Sequence, residues 1–395
     1  MISDKMQIYI DGSSAIRALF EESKKLAEQL GAENVFDFSL GNPNFPPPAA
    51  FGEAVKKYID APDQNFVNGY MNNSGYPEVR ARVAESLNRR FGTAYAEHNI
   101  IMTVGAAGGL NTMLAVLMNA GEEVMTFAPF FGEYFSYATN VDANLVVVPP
   151  NPPAFAPNVA AFAPLVTEKT RAVILNSPNN PSGVIYGEDD LRAIADVLRE
   201  KQRQFGTDIY ILCDEPYREL NYTDREVPWM PDYYNNTIVG YSWSKSLSIP
   251  GDRIGYLVIP DEVTDSPQIV QGGNIMTRTL GFVNAPALMQ LVCAACVDLP
   301  VDISGYRKNR NALWHGLTGI GYTCVEPQGA FYLFVKSPLE DDKAFVEAAK
   351  PFGLVVVPGS GFGAPGWLRL AYCTSYVTIE RSLPQFKALW DSVNK

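Results

Sequence analysis

Between residues 100 and 259 short apolar runs alternate with helical patterns, and this alternation limits the folds open to the chain. Apolar runs of about 4–8 residues flanked by turn residues are typical of buried strands. Strands that alternate with amphipathic helices, such as residues 189–205, usually form parallel sheets. The sequence therefore predicts an α/β fold with helices on both faces of a mostly parallel central sheet. Its strands are expected at residues 100–104, 123–127, 145–148, 172–175, 209–213, 238–241 and 256–259.

The pattern changes after about residue 288, where a long helical stretch precedes two further strand patterns. This mixture predicts a smaller α+β domain, with strands at residues 330–335 and 367–372 and helices near residues 343–349 and 378–393. We expect three parts. They are an N-terminal segment (1–45) that packs with the small domain, a large α/β domain (46–287) and the small C-terminal domain (288–395).

Composition excludes several classes of partner. The net charge of −12 over 395 residues argues against nucleic acid or an anionic membrane as the main partner. No apolar stretch reaches the ~18 residues of a membrane span, and no signal peptide is evident, so a cytoplasmic protein is expected. The five cysteines lie in apolar surroundings, which is typical of reduced thiols. His98 and His315 are too few for a three-histidine metal site, and no metal is expected.

One segment combines a lysine with groups that bind anions. Ser242 and Ser244 precede Lys245, and Arg253 follows it eight residues later. A lysine that forms a Schiff base needs a nearby anion site to hold its carbonyl partner, and two hydroxyls with an arginine suit a phosphate. The cofactor that this segment suggests is pyridoxal phosphate, a phosphorylated aldehyde that acts as an electron sink. The alternative is an ordinary surface lysine in a serine-rich loop.

Three loops that follow predicted strands carry residue types suited to that cofactor. Ligands of open α/β sheets bind at this edge of the sheet. In Gly105-Ala106-Ala107 small residues leave the N–H groups of a helix N-terminus open to a phosphate. In residues 176–183, Asn180 can donate to the phenolic oxygen, and Tyr217 could share that oxygen. Asp214 ends an apolar strand, where a carboxylate needs a partner such as a protonated pyridine nitrogen.

The motifs occur in the order of the class I/II aminotransferases, the fold-type-I family of pyridoxal phosphate enzymes, and the chain resembles that family over nearly its whole length. The resemblance implies that Lys245 is the Schiff-base lysine and Asp214 the pyridinium partner. Asn180 and Tyr217 would bind the phenolic oxygen. Tyr217 would also be a catalytic residue, and Asn180 would also contact the substrate. The phosphate ligands would be Gly105, Ala106, Ala107, Ser242, Ser244 and Arg253.

Further positions match the family outside these loops. Phe131 falls where the family stacks an aromatic ring on the cofactor. Arg369 matches the arginine that binds the substrate α-carboxylate, a task that suits a bidentate guanidinium. Tyr70 matches a tyrosine that reaches the phosphate of the other subunit, which implies a homodimer with shared active sites. Gly41 matches a glycine beside the substrate, although the family often has an acidic residue where this chain has Asn42.

The resemblance implies an aminotransferase that passes the amino group of an L-amino acid to a 2-oxo acid by a ping-pong mechanism. A carbon–sulfur β-lyase on the same fold is the alternative, because its machinery is nearly identical. Aspartate or glutamate would need a second cation for the distal carboxylate. Arg278 lies near where relatives place such an arginine from the partner subunit, and Arg17 is a weaker candidate. Arg278 is equally well interpreted as a solvated or structurally paired arginine.

Overall fold

The computed structural model describes residues 1–11 and 15–394, without the side chains of residues 11, 15–18, 20 and 21. Helices alternate with strands through the middle of the chain. The helices are α1 (Asp4–Asp11), α2 (Ala15–Leu30), α3 (Ala49–Ile59), α4 (Gln64–Asn68), α5 (Pro77–Phe91), α6 (Gly105–Leu117), α7 (Glu133–Asn140), α8 (Val159–Leu165), α9 (Glu188–Phe205), α10 (Trp243–Ser246), α11 (Ser266–Thr279), α12 (Ala287–Ala295), α13 (Ser304–Ile320), α14 (Asp342–Ala349) and α15 (Tyr376–Val393). The strands are β1 (Phe36–Asp37), β2 (Ile100–Thr103), β3 (Glu123–Phe127), β4 (Asn144–Val148), β5 (Thr170–Asn176), β6 (Tyr210–Asp214), β7 (Thr237–Ser242), β8 (Gly255–Val258), β9 (Tyr332–Lys336), β10 (Leu354–Val355), β11 (Val357–Pro358) and β12 (Trp367–Ala371).

A seven-stranded sheet forms the centre of the fold, with the strand order β2-β8-β7-β6-β5-β3-β4. Strand β8 runs antiparallel to both of its neighbours, and the remaining neighbours pair in parallel. The predicted mostly parallel sheet is therefore confirmed. Each strand predicted within it is present, with ends that differ by at most two residues.

Helices cover both faces of this sheet, as predicted. Alternate residues of a strand point to opposite faces, and in β6 Ile211 packs in one hydrophobic cluster while Leu212 packs in another. Val83 of α5 and Ile194 of α9 join the first cluster, and Met113 of α6 joins the second. Burial on both faces explains why the sheet strands are apolar almost throughout rather than alternating.

A third hydrophobic cluster surrounds the smaller antiparallel sheet β11-β12-β9. Helices α13, α14 and α15 contribute to it, and so does Phe36, because β1 pairs in parallel with β10. Leu291 of α12 instead packs in the first cluster, which favours a boundary after this helix rather than before it. The three-part division of the chain stays a prediction.

The sequence analysis assigned no element to residues 49–91, where α3, α4 and α5 lie. Helix α5 has recognisable signals, since Pro77 occupies its first turn and Gly92 ends it in the left-handed conformation with φ of 68°. Its buried residues recur at helical spacing, as in Val79 and Val83. Among the described helices, none combines the length and the apolar character needed to cross a membrane.

The carboxyl ends of the parallel strands bring polar side chains to one edge of the central sheet. Asn176 ends β5, Asp214 ends β6 directly beside it, and Ser242 ends the neighbouring β7. The first turn of α6 follows β2 at the same edge, and Ala106 there lines the same cavity as these three residues. This edge of the sheet therefore holds the candidate site.

Candidate active site

A cavity of about 350 Å³ lies at this edge, and most of the predicted site residues line it. They come from the large sheet, from the small sheet and from the N-terminal segment: Gly41, Ala106, Ala107, Phe131, Asn180, Asp214, Tyr217, Ser242, Ser244, Lys245, Arg253 and Arg369. A larger cleft of about 1040 Å³ beside Tyr186 and Trp229 contains none of the predicted site residues that the structure describes.

Lys245 lies in α10, the short helix that begins directly after β7. Ser242 caps this helix, because its hydroxyl accepts a hydrogen bond from the Ser244 amide. The Lys245 Nζ donates to the Gly41 carbonyl at 2.8 Å. Burial lowers the pKa of Lys245 to about 8, and the nearby Arg253 and Arg369 act in the same direction, against the effect of Cys373. A substantial fraction of this amine is therefore neutral near pH 8, as a nucleophile or base requires.

Asp214 presents one bound and one free carboxylate oxygen. Its Oδ2 accepts a hydrogen bond of 2.6 Å from the Tyr134 hydroxyl, while its Oδ1 is buried without a partner among the described residues. Burial raises the pKa of Asp214 to about 6; the Tyr134 hydrogen bond opposes this rise and Glu215 adds to it. A cationic partner at the free oxygen would stabilise the ionised form of this buried carboxylate.

Tyr134 was missed by the sequence analysis. It lies in α7 and is fully buried, and burial and the Asp214 charge raise its pKa well above the usual value, so it stays a donor. The one signal for it is its position three residues after Phe131, near enough for both rings to reach the same site. The two rings meet edge to face, with centroids 5.7 Å apart and planes at 89°.

The groups predicted to bind a phosphate meet at the N-terminus of α6. Gly105 has φ of +69°, a conformation that favours glycine, and a Cβ there would lie 2.7 Å from Nη2 of Arg253 and displace this guanidinium. Arg253 itself is exposed on one side, and its Nη1 donates to the Pro250 carbonyl at 2.8 Å. The hydroxyls of Ser242 and Ser244 are 2.6 Å apart. Together these donors form a site for an anion.

Arg369 is 2% exposed, and its guanidinium faces the same cavity from β12. Its Nη1 donates to Oδ1 of Asn180 at 3.2 Å and its Nη2 donates to the Ser39 carbonyl, while its Nε has no partner among the described residues. Burial lowers the pKa of Arg369 from its usual value, and the described neighbours that oppose this effect are Tyr332, Tyr217 and Cys373 rather than a carboxylate. A buried guanidinium without a counter-ion is suited to bind a carboxylate ligand.

Tyr217 and Tyr332 form a pair behind Gly41. Their hydroxyl oxygens are 2.9 Å apart, and the predicted contact of Tyr217 with the cofactor's phenolic oxygen stays a prediction. A Cβ on Gly41 would lie 2.1 Å from the Tyr332 hydroxyl, which explains why glycine stands there. Tyr332 is a second residue that the sequence analysis missed. Its position in an apolar strand gave no sign of a polar contact.

Among the described residues, Gly105, Tyr70 and Arg278 were predicted for the site but do not line the cavity. Tyr70 is 91% exposed on the surface, and Arg278 is exposed near the end of α11. The Arg17 side chain lies outside the described residues. The contacts predicted for Tyr70 and Arg278 involve a second subunit, so these assignments stay predictions.

Comparison with known proteins adds to this geometry. The family model described as aminotransferase class I and II matches residues 33–383. The chain belongs to this family. Over the whole length of both chains it is 42% identical to an amino transferase from Eubacterium rectale, with a TM-score of 0.96. It is 28% identical to an aspartate aminotransferase of Thermotoga maritima, over 91% of this chain and 92% of that one. It is 30% identical to aromatic-amino-acid aminotransferase 2 of Thermococcus litoralis, over 98% and 97% of the two chains.

The protein is a pyridoxal-phosphate-dependent aminotransferase, and its cavity fits that cofactor. The unpartnered Oδ1 of Asp214 is an acceptor for a protonated ring nitrogen. Ser242, Ser244, Arg253 and the first turn of α6 offer donors for the phosphate. The Lys245 amine has a lowered pKa, as its reaction with a carbonyl group requires.

The raised pKa of Asp214 gives a stability prediction for the cofactor-free aminotransferase. Between about pH 4 and pH 6 the unfolded chain loses this proton first, so ionisation favours unfolding and stability falls as the pH rises through this window. Asp214→Asn cannot ionise and keeps an acceptor for Tyr134. We expect the cofactor-free variant to exceed the wild type at pH 8 by about 2–3 kcal/mol in the free energy of unfolding measured in urea.

This advantage should shrink as the pH is lowered toward 4, because the wild-type carboxyl is then protonated in both states. Saturation with pyridoxal phosphate should reverse the order, since only the carboxylate can pair with a cationic ring nitrogen. Equal urea midpoints for the two cofactor-free proteins at pH 8 would show that the buried carboxylate is not destabilising.

Proposed function

We propose that this aminotransferase uses Lys245 both to bond the cofactor and to move the substrate proton, and uses Arg369 to bind the substrate α-carboxylate. The observation that carries this proposal is the joint presence, in one cavity, of the unpartnered Asp214 oxygen and the Lys245 amine with a pKa of about 8. A surface lysine in a serine-rich loop, the alternative raised by the sequence, would be solvated and would not have its pKa lowered by burial.

Each polar residue of the cavity has a task. Pyridoxal phosphate, when bound, supplies a carbonyl that reacts with amines and a ring that takes up electrons. Asp214 holds the proton of the ring nitrogen, and Tyr134 keeps that carboxylate in place. Arg369 orients the amino acid through its carboxylate, and Asn180 steadies the guanidinium. The neutral Lys245 amine takes the proton from the substrate Cα, holds it as an ammonium and gives it back.

The experiment that tests these roles is a single-turnover reaction of the cofactor-loaded enzyme with one amino acid and no 2-oxo acid. The wild type should release one 2-oxo acid per site while the visible absorbance of the cofactor falls. Lys245→Ala should slow this step by at least the 10²–10⁴-fold that a general base contributes. Lys343→Ala, at an exposed lysine, is the matched control and should react as the wild type.

Two outcomes would contradict the proposal. Borohydride reduction followed by mass spectrometry should find the pyridoxyl group on Lys245, and a modified peptide with any other lysine would reject the assignment. Continuous release of ammonia and pyruvate from cysteine, without a 2-oxo acid acceptor, would instead identify a carbon–sulfur β-lyase.

The active site is proposed to be completed by a second copy of the chain. Tyr70 is 91% exposed and does not line the cavity of its own chain, and Arg253 at the proposed phosphate site is also exposed. Large apolar side chains nearby on the surface include Phe66 and Ile275, at 43% and 45% exposure. A homodimer in which Tyr70 reaches the partner's phosphate would cover these groups. A fully active protein that sediments as a monomer would contradict this proposed homodimer.

A cytoplasmic location stays a prediction. All five cysteines lie within the described residues and are free thiols, which supports a reducing compartment. Cell fractionation would test this location, and recovery outside the cytoplasm would reject it.

The enzyme's preference for one substrate side chain over another depends on the charges that line the cavity. Among the described residues, the cations that line the cavity are Lys245, Arg253 and Arg369, and each already has a proposed task. Glu133 also lines the cavity, and no hydrogen bond or ion pair of its carboxylate is found among the described residues. The relatives include proteins named for aspartate and for aromatic amino acids. Use of aspartate or glutamate therefore requires a cation from elsewhere, and we propose Arg278 of the partner subunit.

The prediction for this site compares two substrates. Arg278→Ala should lower kcat/KM for aspartate, because the distal carboxylate loses its charged partner. The decrease should correspond to a loss of about 2–5 kcal/mol of transition-state binding. Activity with alanine should change little. Glu133→Gln should act in the opposite direction and raise kcat/KM for aspartate, since it removes a like charge. Equal losses for both substrates in Arg278→Ala would reject its selective role, and activity with neutral amino acids alone would reject the dicarboxylate proposal.

A further inference from the structure

The hydroxyl of Tyr332 has one hydrogen-bond partner among the described residues, the Tyr217 hydroxyl at 2.9 Å. Both phenols are buried, at 2% and 6% exposure, and their rings meet edge to face with centroids 5.7 Å apart. Gly41 packs against the same hydroxyl and provides no side chain to bind it. Among the described residues, Tyr217 is therefore the hydrogen-bond partner of Tyr332, which also lines the cavity.

The two phenols hold two protons but share one hydrogen bond. Burial raises the pKa of Tyr332 to about 12, and burial together with Tyr332 raises the pKa of Tyr217 well above its usual value, so both are protonated near neutral pH. Both tyrosines line the cavity, and either hydroxyl could donate in the pair. In the proposed function the single Tyr217 proton goes to the phenolic oxygen, so in the bond between the two phenols Tyr217 can only accept. Tyr332 must then be the donor, which also leaves neither buried proton without an acceptor.

We propose that Tyr332 is a positioning residue that donates to Tyr217 and thereby directs the Tyr217 proton at the phenolic oxygen of the bound cofactor. This inference rests on the proposed function, in which Tyr217 binds that oxygen. Hydrogen bonds in a chain strengthen one another, so Tyr217 becomes a stronger donor when Tyr332 donates to it. The phenolic oxygen in turn controls how readily the nitrogen contributed by Lys245 takes up a proton.

The ring and the hydroxyl of Tyr332 have separable roles. The Arg369 guanidinium lies over the Tyr332 ring, 4.8 Å from its centroid. Tyr332→Phe keeps this ring under the guanidinium and removes only the oxygen. A substrate-binding defect through Arg369 can thus be told apart from an effect on Tyr217. The charged and titratable side chains that face the two phenols, Asp214, Arg369 and Cys373, remain in the variant.

The test is an absorbance titration of the enzyme loaded with pyridoxal phosphate, with no substrate present. Removing a donor leaves more negative charge on the phenolic oxygen, and this charge favours the protonated nitrogen beside it. Tyr217→Phe should therefore raise the pH midpoint by about 1–2 units, the effect of one hydrogen bond to a charged oxygen. Tyr332→Phe should raise it by a smaller amount, about 0.3–1 unit.

The double variant separates the possible outcomes. Tyr217→Phe/Tyr332→Phe should have the midpoint of Tyr217→Phe alone, because Tyr332 acts only through Tyr217. The matched control is Tyr222→Phe, which removes a buried hydroxyl bonded to the Ala330 carbonyl and should leave the midpoint unchanged. A Tyr332→Phe midpoint equal to the wild type, or a shift that persists beside Tyr217→Phe, would overturn this inference. An unshifted Tyr217→Phe would reject the role of Tyr217 in the proposed function itself.

Discussion

The arrangement of the active site depends on one buried carboxylate. Asp214 ends a central strand of the sheet, is 7% exposed and has a single hydrogen bond, from Tyr134, to one of its two oxygens. The other oxygen has no partner among the described residues. Such a group destabilises the chain that carries it unless a cation arrives. We propose that the unfavourable burial of Asp214 is the source of affinity for a protonated ring.

Residues from two packing units meet around this carboxylate. The large sheet provides Asp214, Asn180 and Lys245 at the ends of its parallel strands, where the backbone stops pairing and side chains can face a ligand. The small sheet provides Arg369 and Tyr332. Contacts across the junction join the two, as in the hydrogen bonds from Arg369 to Asn180 and from Lys245 to the Gly41 carbonyl. These hydrogen bonds fix the position of Arg369 relative to Asn180 and of Lys245 relative to Gly41, the residues proposed to bind cofactor and substrate.

The sequence predicted the residues whose position follows from local patterns. Asp214 and Lys245 come directly after apolar strands, and parallel strands bring such positions to one edge. Tyr134 and Tyr332 were missed because their partners lie 80 and 115 residues away along the chain, and neither stands in a polar pattern. Helix α5 was missed although Pro77 and Gly92 mark its ends, so here the signal was present and unused. Tyr70 and Arg278 depend on a second subunit, which no pattern within one chain can position.

The most direct test of this account is the protonation state of the cofactor's ring nitrogen. Pyridoxal phosphate labelled with ¹⁵N at that atom can be bound to the wild type and to Asp214→Asn, and its chemical shift recorded by NMR. The wild type should show a protonated nitrogen at about pH 8, held there by the otherwise unpaired carboxylate, and the variant should show an unprotonated one. An unprotonated nitrogen in both proteins would contradict the central role of Asp214.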